Sequence, residues 1–167
     1  KPEIIYMPIS FSHSPLLDKV RDILPNQETY LVGGAVRDML LNRLSRDLDF
    51  ALPSNGIPTA RKVANTLQAD FMVLDDERDT GRVIFTDADG SRTFLDFAVY
   101  RGATLDEDLR NRDFTMNAIA FDLQTQTLRD PLNGASDLRA RVIRACSPTS
   151  LADDPIRILR AVRQAAE

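Results

Sequence analysis

The chain has 167 residues, enough for one domain with a buried core or a small domain with an appendage, and its 43% hydrophobic and 28% charged content is ordinary globular composition. No apolar run approaches the roughly 20 residues of a membrane span, no signal or transit segment is visible, and the lone cysteine, Cys146, excludes an intramolecular disulfide and a Cys-based zinc cluster while fitting a reducing, cytoplasmic setting. With a single histidine, His13, and a net charge of −4 built from 18 Arg, 3 Lys, 20 Asp and 5 Glu, any chemistry must rest on carboxylates, arginines and backbone.

In chain order, residues 1–15 carry three prolines and read as a lead-in segment. Leu16 to Leu24 has the apolar spacing of a short amphipathic helix stopped by Pro25. Tyr30 to Val32 is a short strand running into Gly33-Gly34, and Ala35 to Leu44 is a helix. Asp47 to Leu52 alternates as a strand and closes at Pro53-Ser54-Asn55-Gly56. Pro58 to Ala69 is a helix with proline in its first turn, Phe71 to Leu74 a strand, and Asp75 to Asp79 an acidic loop. Arg82 to Thr86 and Thr93 to Val99 form a hairpin across Asp87-Ala88-Asp89-Gly90. A helical turn at Asp113 to Asn117 leads to an apolar stretch ending at Phe121, with Thr127 to Arg129 as its hairpin partner. Asp137 to Arg139 is a helical turn, Val142-Ile143 a short strand, and Pro155 onward a helix. Short strands mixed with helices predict an α+β fold, a short mixed sheet flanked by helices. The chain opens without methionine and stops inside a helical pattern, so it reads as a fragment.

Five segments carry chemistry-bearing residues. Gly33-Gly34-Ala35-Val36-Arg37-Asp38 joins a strand to a helix. Glycine lets backbone approach an anion closely, and Arg37 can add a charge-assisted contact to a phosphate; a tight turn needing glycine dihedrals is the alternative. In Asp47-Leu48-Asp49-Phe50 the two aspartates share one strand face. Their repulsion is relieved by a hard divalent cation, unless the strand simply presents an acidic face to solvent. Asp96, in Phe94-Leu95-Asp96-Phe97, is the candidate third carboxylate, as a metal ligand or as a base for a hydroxyl nucleophile, with a solvated outward residue as the alternative. Arg112-Asp113-Phe114-Thr115-Met116-Asn117 suits sugar or phosphate contacts, or helix capping by Asp113. In the last helix Asp154 and Pro155 form a start signal. Arg157, Arg160, Arg163 and Gln164 then fall on one side, with Ile158, Leu159, Ala161 and Val162 on the other. The basic residues cluster here: Leu138 to Arg163 holds six Arg and two Asp.

Taken together and in this order, these segments resemble the class II tRNA nucleotidyltransferase/poly(A) polymerase family, within the polymerase-β-like nucleotidyltransferase superfamily. The markers are Leu31-Val32-Gly33-Gly34-Ala35-Val36-Arg37-Asp38, Asp47-Leu48-Asp49, Arg112 to Ala118, Asp130-Pro131-Leu132-Asn133-Gly134, and Asp154 to Arg163. The chain departs from the usual pattern at Asn111, Asp153 and Gln164. After a lead-in segment and helix at residues 1–25, the resemblance, which runs from Tyr30 to the end, implies a nucleotidyltransferase head at 26–146 and the first helix of a helical neck at 147–167. It implies magnesium on Asp47 and Asp49, and an incoming nucleotide held by Gly33, Gly34, Arg37 and Arg112. Asp154, Arg157, Arg160 and Arg163 would line the pocket that reads the base and binds phosphates. The implied partners are ATP, with CTP as a second candidate, and the 3′ end of an RNA, foremost tRNA. The implied reaction adds AMP, or CMP, to a 3′ hydroxyl. Poly(A) polymerase activity and a nucleotide-binding module without turnover are the alternatives.

Overall fold

The computed structural model of the chain describes residues 4–5 and 15–166, so residues 1–3 and 6–14 of the expected lead-in lie outside the described residues. In chain order the elements are β1 (Ile4–Ile5), α1 (Pro15–Ile23), β2 (Tyr30–Val32), α2 (Gly34–Leu40), β3 (Asp47–Leu52), α3 (Gly56–Leu67), β4 (Asp70–Asp75), β5 (Thr80–Thr86), β6 (Arg92–Val99), α4 (Leu105–Arg110), a 3-10 turn (Thr115–Asn117), β7 (Ala120–Asp122), β8 (Leu128–Arg129), α5 (Gly134–Ala140), α6 (Ser150–Asp153) and α7 (Ile156–Ala166). The strands make one eight-stranded sheet in the order β1-β8-β7-β2-β3-β6-β5-β4. Only β3 and β6 pair in parallel, which the intervening α3 crossover permits. The expected mixed α+β sheet is therefore the observed one.

Alternation fixes which face of the sheet is buried. Leu48, Phe50 and Leu52 of β3, with Leu95 and Phe97 of β6 and Val83 of β5, point to one side and pack against Val20 and Leu24 of the α1 segment and Ala60 and Val63 of α3. Phe50 and Phe97 are register partners, and their rings stack with centroids 4.6 Å apart. Truncating either to alanine would cost about 3–5 kcal/mol. On the opposite face Tyr30, Val32, Ala51 and Ala120 gather under Leu105 and Leu109 of α4. That cover stops short of Asp47, Asp49 and Asp96, which share the face.

Helix α3 begins in an unusual way. Asn55 precedes it in the left-handed region (φ 62°) and offers no side-chain cap. Instead the Asp79 carboxylate, from the β4–β5 turn, accepts from the amides of Gly56 (3.0 Å) and Ile57 (2.8 Å), placing negative charge at the helix N-terminus. A Cβ at Gly56 would collide with the Asp79 carbonyl oxygen, so glycine is needed there for closeness.

Two expectations are corrected. Val142-Ile143 forms no strand: Arg141 turns the chain at φ 56°, and only the isolated bridge between Phe114 and Ala145 pairs nearby backbone. Helix α2 stops at Leu40, because Asn42 takes a left-handed conformation and Leu44 runs out to 77% exposure. In α7 the arginine side meets the head, a choice that the sequence periodicity leaves open. Arg157, Ala161 and Gln164 are partly covered, while Ile158, Leu159 and Val162 are 53–69% exposed.

Candidate active site

Gly33 is the pivot between β2 and α2. Its φ of 70° and ψ of −140° belong to a region that only glycine occupies without strain. A Cβ there would lie 3.3 Å from Arg112 Nη1 and 3.5 Å from Asp49 Oδ2, so three of the sequence motifs converge on this one residue. Gly34 has ordinary helical geometry, and a Cβ on it would meet Arg37 Nη2 at 3.7 Å. The close-approach requirement therefore falls on Gly33.

The Asp47 and Asp49 side chains leave β3 on the same side. Among the described residues neither carboxylate has a hydrogen-bonding or ion-paired side-chain partner. Asp49 lines the floor of the cavity. Burial pushes its pKa up first, the neighbouring Asp96 charge second and Asp47 further, with Arg112 pulling the other way. Asp96 is the register partner of Asp49 on β6, so the third carboxylate lies beside the pair. It is ion-paired and partly buried: Arg82 grips it through Nε to Oδ1 and Nη2 to Oδ2, each 2.7 Å.

A cavity of about 450 Å³ opens above this floor. Every candidate site residue lines it except Asp47, two residues before Asp49 on β3: Gly33, Gly34, Arg37, Asp49, Asp96, Arg112, Asp154, Arg157, Arg160 and Arg163. Arg37 donates to Asp38 Oδ1 from Nε and Nη2 (3.1 and 2.9 Å) and to Asn117 Oδ1 from Nη1 (3.4 Å). Arg112 is held by the buried Asp108 through Nε and Nη2 (3.1 and 2.8 Å). Arg160 Nε lies 3.1 Å from Asp113 Oδ2. Gln164 accepts from Asn117 Nδ2 at 3.4 Å, and so helps to seat α7 on the head.

Asp154 and Arg157 stand side by side, Oδ2 to Nε 3.7 Å, yet each also has a structural task. Asp154 accepts from the Ile156 amide at 3.2 Å, as a helix cap does. The Arg157 Nη groups donate to the carbonyls of Ser150 (3.2 Å) and Asn111 (3.1 Å) and to the Ser150 hydroxyl.

Sequence reading overlooked Asp108 and Arg82 as site residues. Helix α4, which carries Asp108, was signalled by Thr104-Leu105-Asp106-Glu107, a capping box. Thr104 accepts from the Glu107 amide (3.2 Å), and Glu107 reaches back to the Ala103 amide (2.7 Å). Arg82 was accessible by counting back along the expected hairpin, since pairing Thr86 with Arg92 sets Arg82 opposite Asp96. Asn117, the end of the Arg112–Asn117 segment, lines the cavity and accepts from Arg37 Nη1.

Such a site, on such a sheet, is that of a polymerase-β-like nucleotidyltransferase head. Comparison with known proteins narrows the class: residues 29–144 match the poly A polymerase head domain, and the chain belongs to that family. It is 47% identical over 147 residues to a CC-adding tRNA nucleotidyltransferase of Synechocystis, covering 87% of this chain and 34% of that protein. A CC-adding tRNA nucleotidyltransferase of Geobacter sulfurreducens is 42% identical over 160 residues, covering 95% and 36%. Among solved structures, the Thermotoga maritima CCA-adding enzyme complexed with tRNA superposes with a TM-score of 0.75 at 36% identity, covering 89% of this chain and 35% of that one. The chain thus spans about a third of the length of these relatives. No helix among the described residues is long and apolar enough to cross a membrane.

Proposed function

We propose that this chain is the catalytic head, with the first neck helices after residue 146, of a tRNA nucleotidyltransferase that adds CMP or AMP from CTP or ATP to the RNA 3′ end. The observation that carries the reading is the pair of carboxylates on one face of β3, Asp49 of which lines an arginine-rich cavity beside the Gly33 turn. The CC-adding and CCA-adding activities of its relatives support the choice of tRNA.

A magnesium ion fits the residues present. The described residues contain no cluster of three or more His, Cys, Asp or Glu side chains that could hold a metal. Two carboxylates leave the other positions for substrate phosphates and water, which is how Mg²⁺ is ordinarily held. Bound by Asp47 and Asp49, it supplies charge neutralisation for the phosphates and lowers the pKa of the attacking hydroxyl. The remaining work falls to the chain. The Gly33 turn brings backbone close to the triphosphate, and Arg37, Arg112, Arg160 and Arg163 offset its charge. The RNA 3′ hydroxyl then attacks the α-phosphorus in line, forming the new P–O bond as the bond to the pyrophosphate oxygen breaks. Asp154 accepts and Arg157 donates, a pattern complementary to the amino group and adjacent ring nitrogen shared by cytosine and adenine. To read a base, Arg157 would exchange a donation it now makes to backbone.

Extension of tRNA transcripts ending before, after the first and after the second terminal C, with each nucleotide supplied singly, tests the reading. Incorporation of C or A at defined positions is expected. Failure to incorporate either, or an untemplated A tract on RNA lacking a tRNA fold, would overturn it.

A further inference from the structure

A basic groove of about 620 Å³ adjoins the candidate site at the C-terminal end of α7, and Arg37 and Gln164 line both. Its other charged residues are Arg43, Arg139 and Arg141, and no carboxylate is among the described residues that line it. The candidate site, by contrast, sets aspartates against its arginines. Arg139 Nε donates to the Ala135 carbonyl at 3.3 Å. Among the described residues the Arg43 and Arg141 side chains make no hydrogen bond or ion pair. Arg141 also holds the left-handed position after α5, at φ 56°, where glycine is the unstrained residue. Its guanidinium therefore stands at the groove at a backbone cost. Val142 and Ile143, which make no strand, supply apolar wall, and apolar surroundings strengthen contacts between an anion and these arginines.

The place of the groove fits one end of a bound nucleotide. With the base at Asp154 and Arg157, the phosphates run along α7 past Arg160 and Arg163. The helix rises roughly 10 Å from Arg157 to Gln164, comparable to the reach from a base to the last phosphate of its triphosphate. The β- and γ-phosphates then end beside Arg37 and Gln164, at the mouth of the groove. Attacking and leaving oxygens lie in line across the α-phosphorus, so the RNA hydroxyl approaches from the opposite side. Single-stranded RNA is gripped by stacking on aromatic side chains as well as by charge, and no aromatic residue lines this groove.

We propose that the groove is an oligophosphate site that receives the pyrophosphate as it separates from the α-phosphorus. The inference rests on the nucleotidyltransferase reading and adds no bond-breaking step to it.

The test is calorimetric titration of inorganic pyrophosphate into the wild-type chain, the double variant Arg43→Gln/Arg141→Gln, and Arg141→Gly. Each is first saturated with a non-hydrolysable CTP analogue, so that the candidate site is filled and its own affinity is measured. Wild type should still bind pyrophosphate, and the double variant should bind it about tenfold more weakly, the sum of two exposed charge contacts. Affinity for the CTP analogue should stay unchanged in both variants. Arg141→Gly relieves the left-handed backbone, so its melting temperature should hold or rise while pyrophosphate binding still weakens. An arginine with only a structural role predicts a shifted melting temperature and unaltered pyrophosphate binding, which would overturn the proposal. So would pyrophosphate that no longer binds once the analogue is in place. Variants that lose tRNA affinity in a filter-binding assay while holding pyrophosphate as wild type does would make the groove a nucleic-acid surface instead. A wild-type chain that fails to bind the CTP analogue in the first titration would overturn the nucleotidyltransferase reading itself, and this inference with it.

Discussion

Replacing Gly33 by alanine should separate the two glycines of the β2–α2 turn. At φ 70° and ψ −140° an alanine is strained by about 1–3 kcal/mol. The new Cβ would also press on Arg112 Nη1 at 3.3 Å. Arg112 cannot swing clear cheaply, because Asp108 holds its Nε and Nη2. A loss of about 2 kcal/mol would lower the melting temperature of a chain this size by about 4–8 °C. Nucleotide affinity should fall with it, since the methyl group stands between Arg112 and Asp49. Gly34→Ala is the matched control: its Cβ meets only Arg37 Nη2 at 3.7 Å in a helical position, where Gly→Ala is neutral or stabilising by about 0.4–1 kcal/mol. Thermal melts and titration with a fluorescent CTP analogue measure both effects. The reasoning fails if Gly33→Ala melts with the wild type, or if Gly34→Ala proves equally damaging.

Asp47→Asn and Asp49→Asn should each abolish nucleotidyl transfer while the chain stays folded, and undiminished transfer by either would remove that residue from the catalytic set. Asp49→Asn should also raise the metal-free melting temperature at neutral pH. A carboxyl whose folded pKa lies above its unfolded value favours folding at low pH, and that contribution is lost as pH rises through the folded pKa. The gain should therefore vanish in melts run below about pH 4. Asp108→Ala leaves Arg112 partly buried without its partner and should cost about 3 kcal/mol, read as a fall in melting temperature together with weaker nucleotide binding. Asp154→Asn keeps a side-chain oxygen for the Ile156 amide but lets the amide donate, so discrimination against UTP and GTP should fall in a four-nucleotide panel; unchanged selectivity would leave Asp154 as a cap alone.

Local pattern carried the fold wherever a segment's own chemistry was decisive. The Asp47–Leu52 strand was legible from end to end, because alternation of charge and bulk admits one pleated arrangement. The Gly33 turn, the β3 carboxylates and the α7 arginines were legible as motifs, and the cavity brings them together. What escaped depends on partners distant in sequence. The periodicity of α7 separates an arginine side from an apolar side but cannot say which meets the head. Hydrogen bonds from Arg157 to the Asn111 and Ser150 carbonyls settle that. Val142-Ile143 has strand composition, but Arg141 before it turns the chain at φ 56°. Arg82 carries no motif, and its importance comes from the register that sets it against Asp96.

The Asp79 tie has a consequence for how motion near the site can be watched. The amides of Gly56 and Ile57 are sheltered by a carboxylate 22 to 23 residues further along the chain. They can exchange hydrogen with solvent only when the β4–β5 turn lifts or α3 itself frays. Asp79 also lines a second cavity, of about 870 Å³, whose wall includes Asp49 and Asp96. Deuterium uptake at two amides on the helix start is thus a clock for a turn elsewhere in the sequence, and any RNA or nucleotide that settles against that turn will slow it without touching either amide.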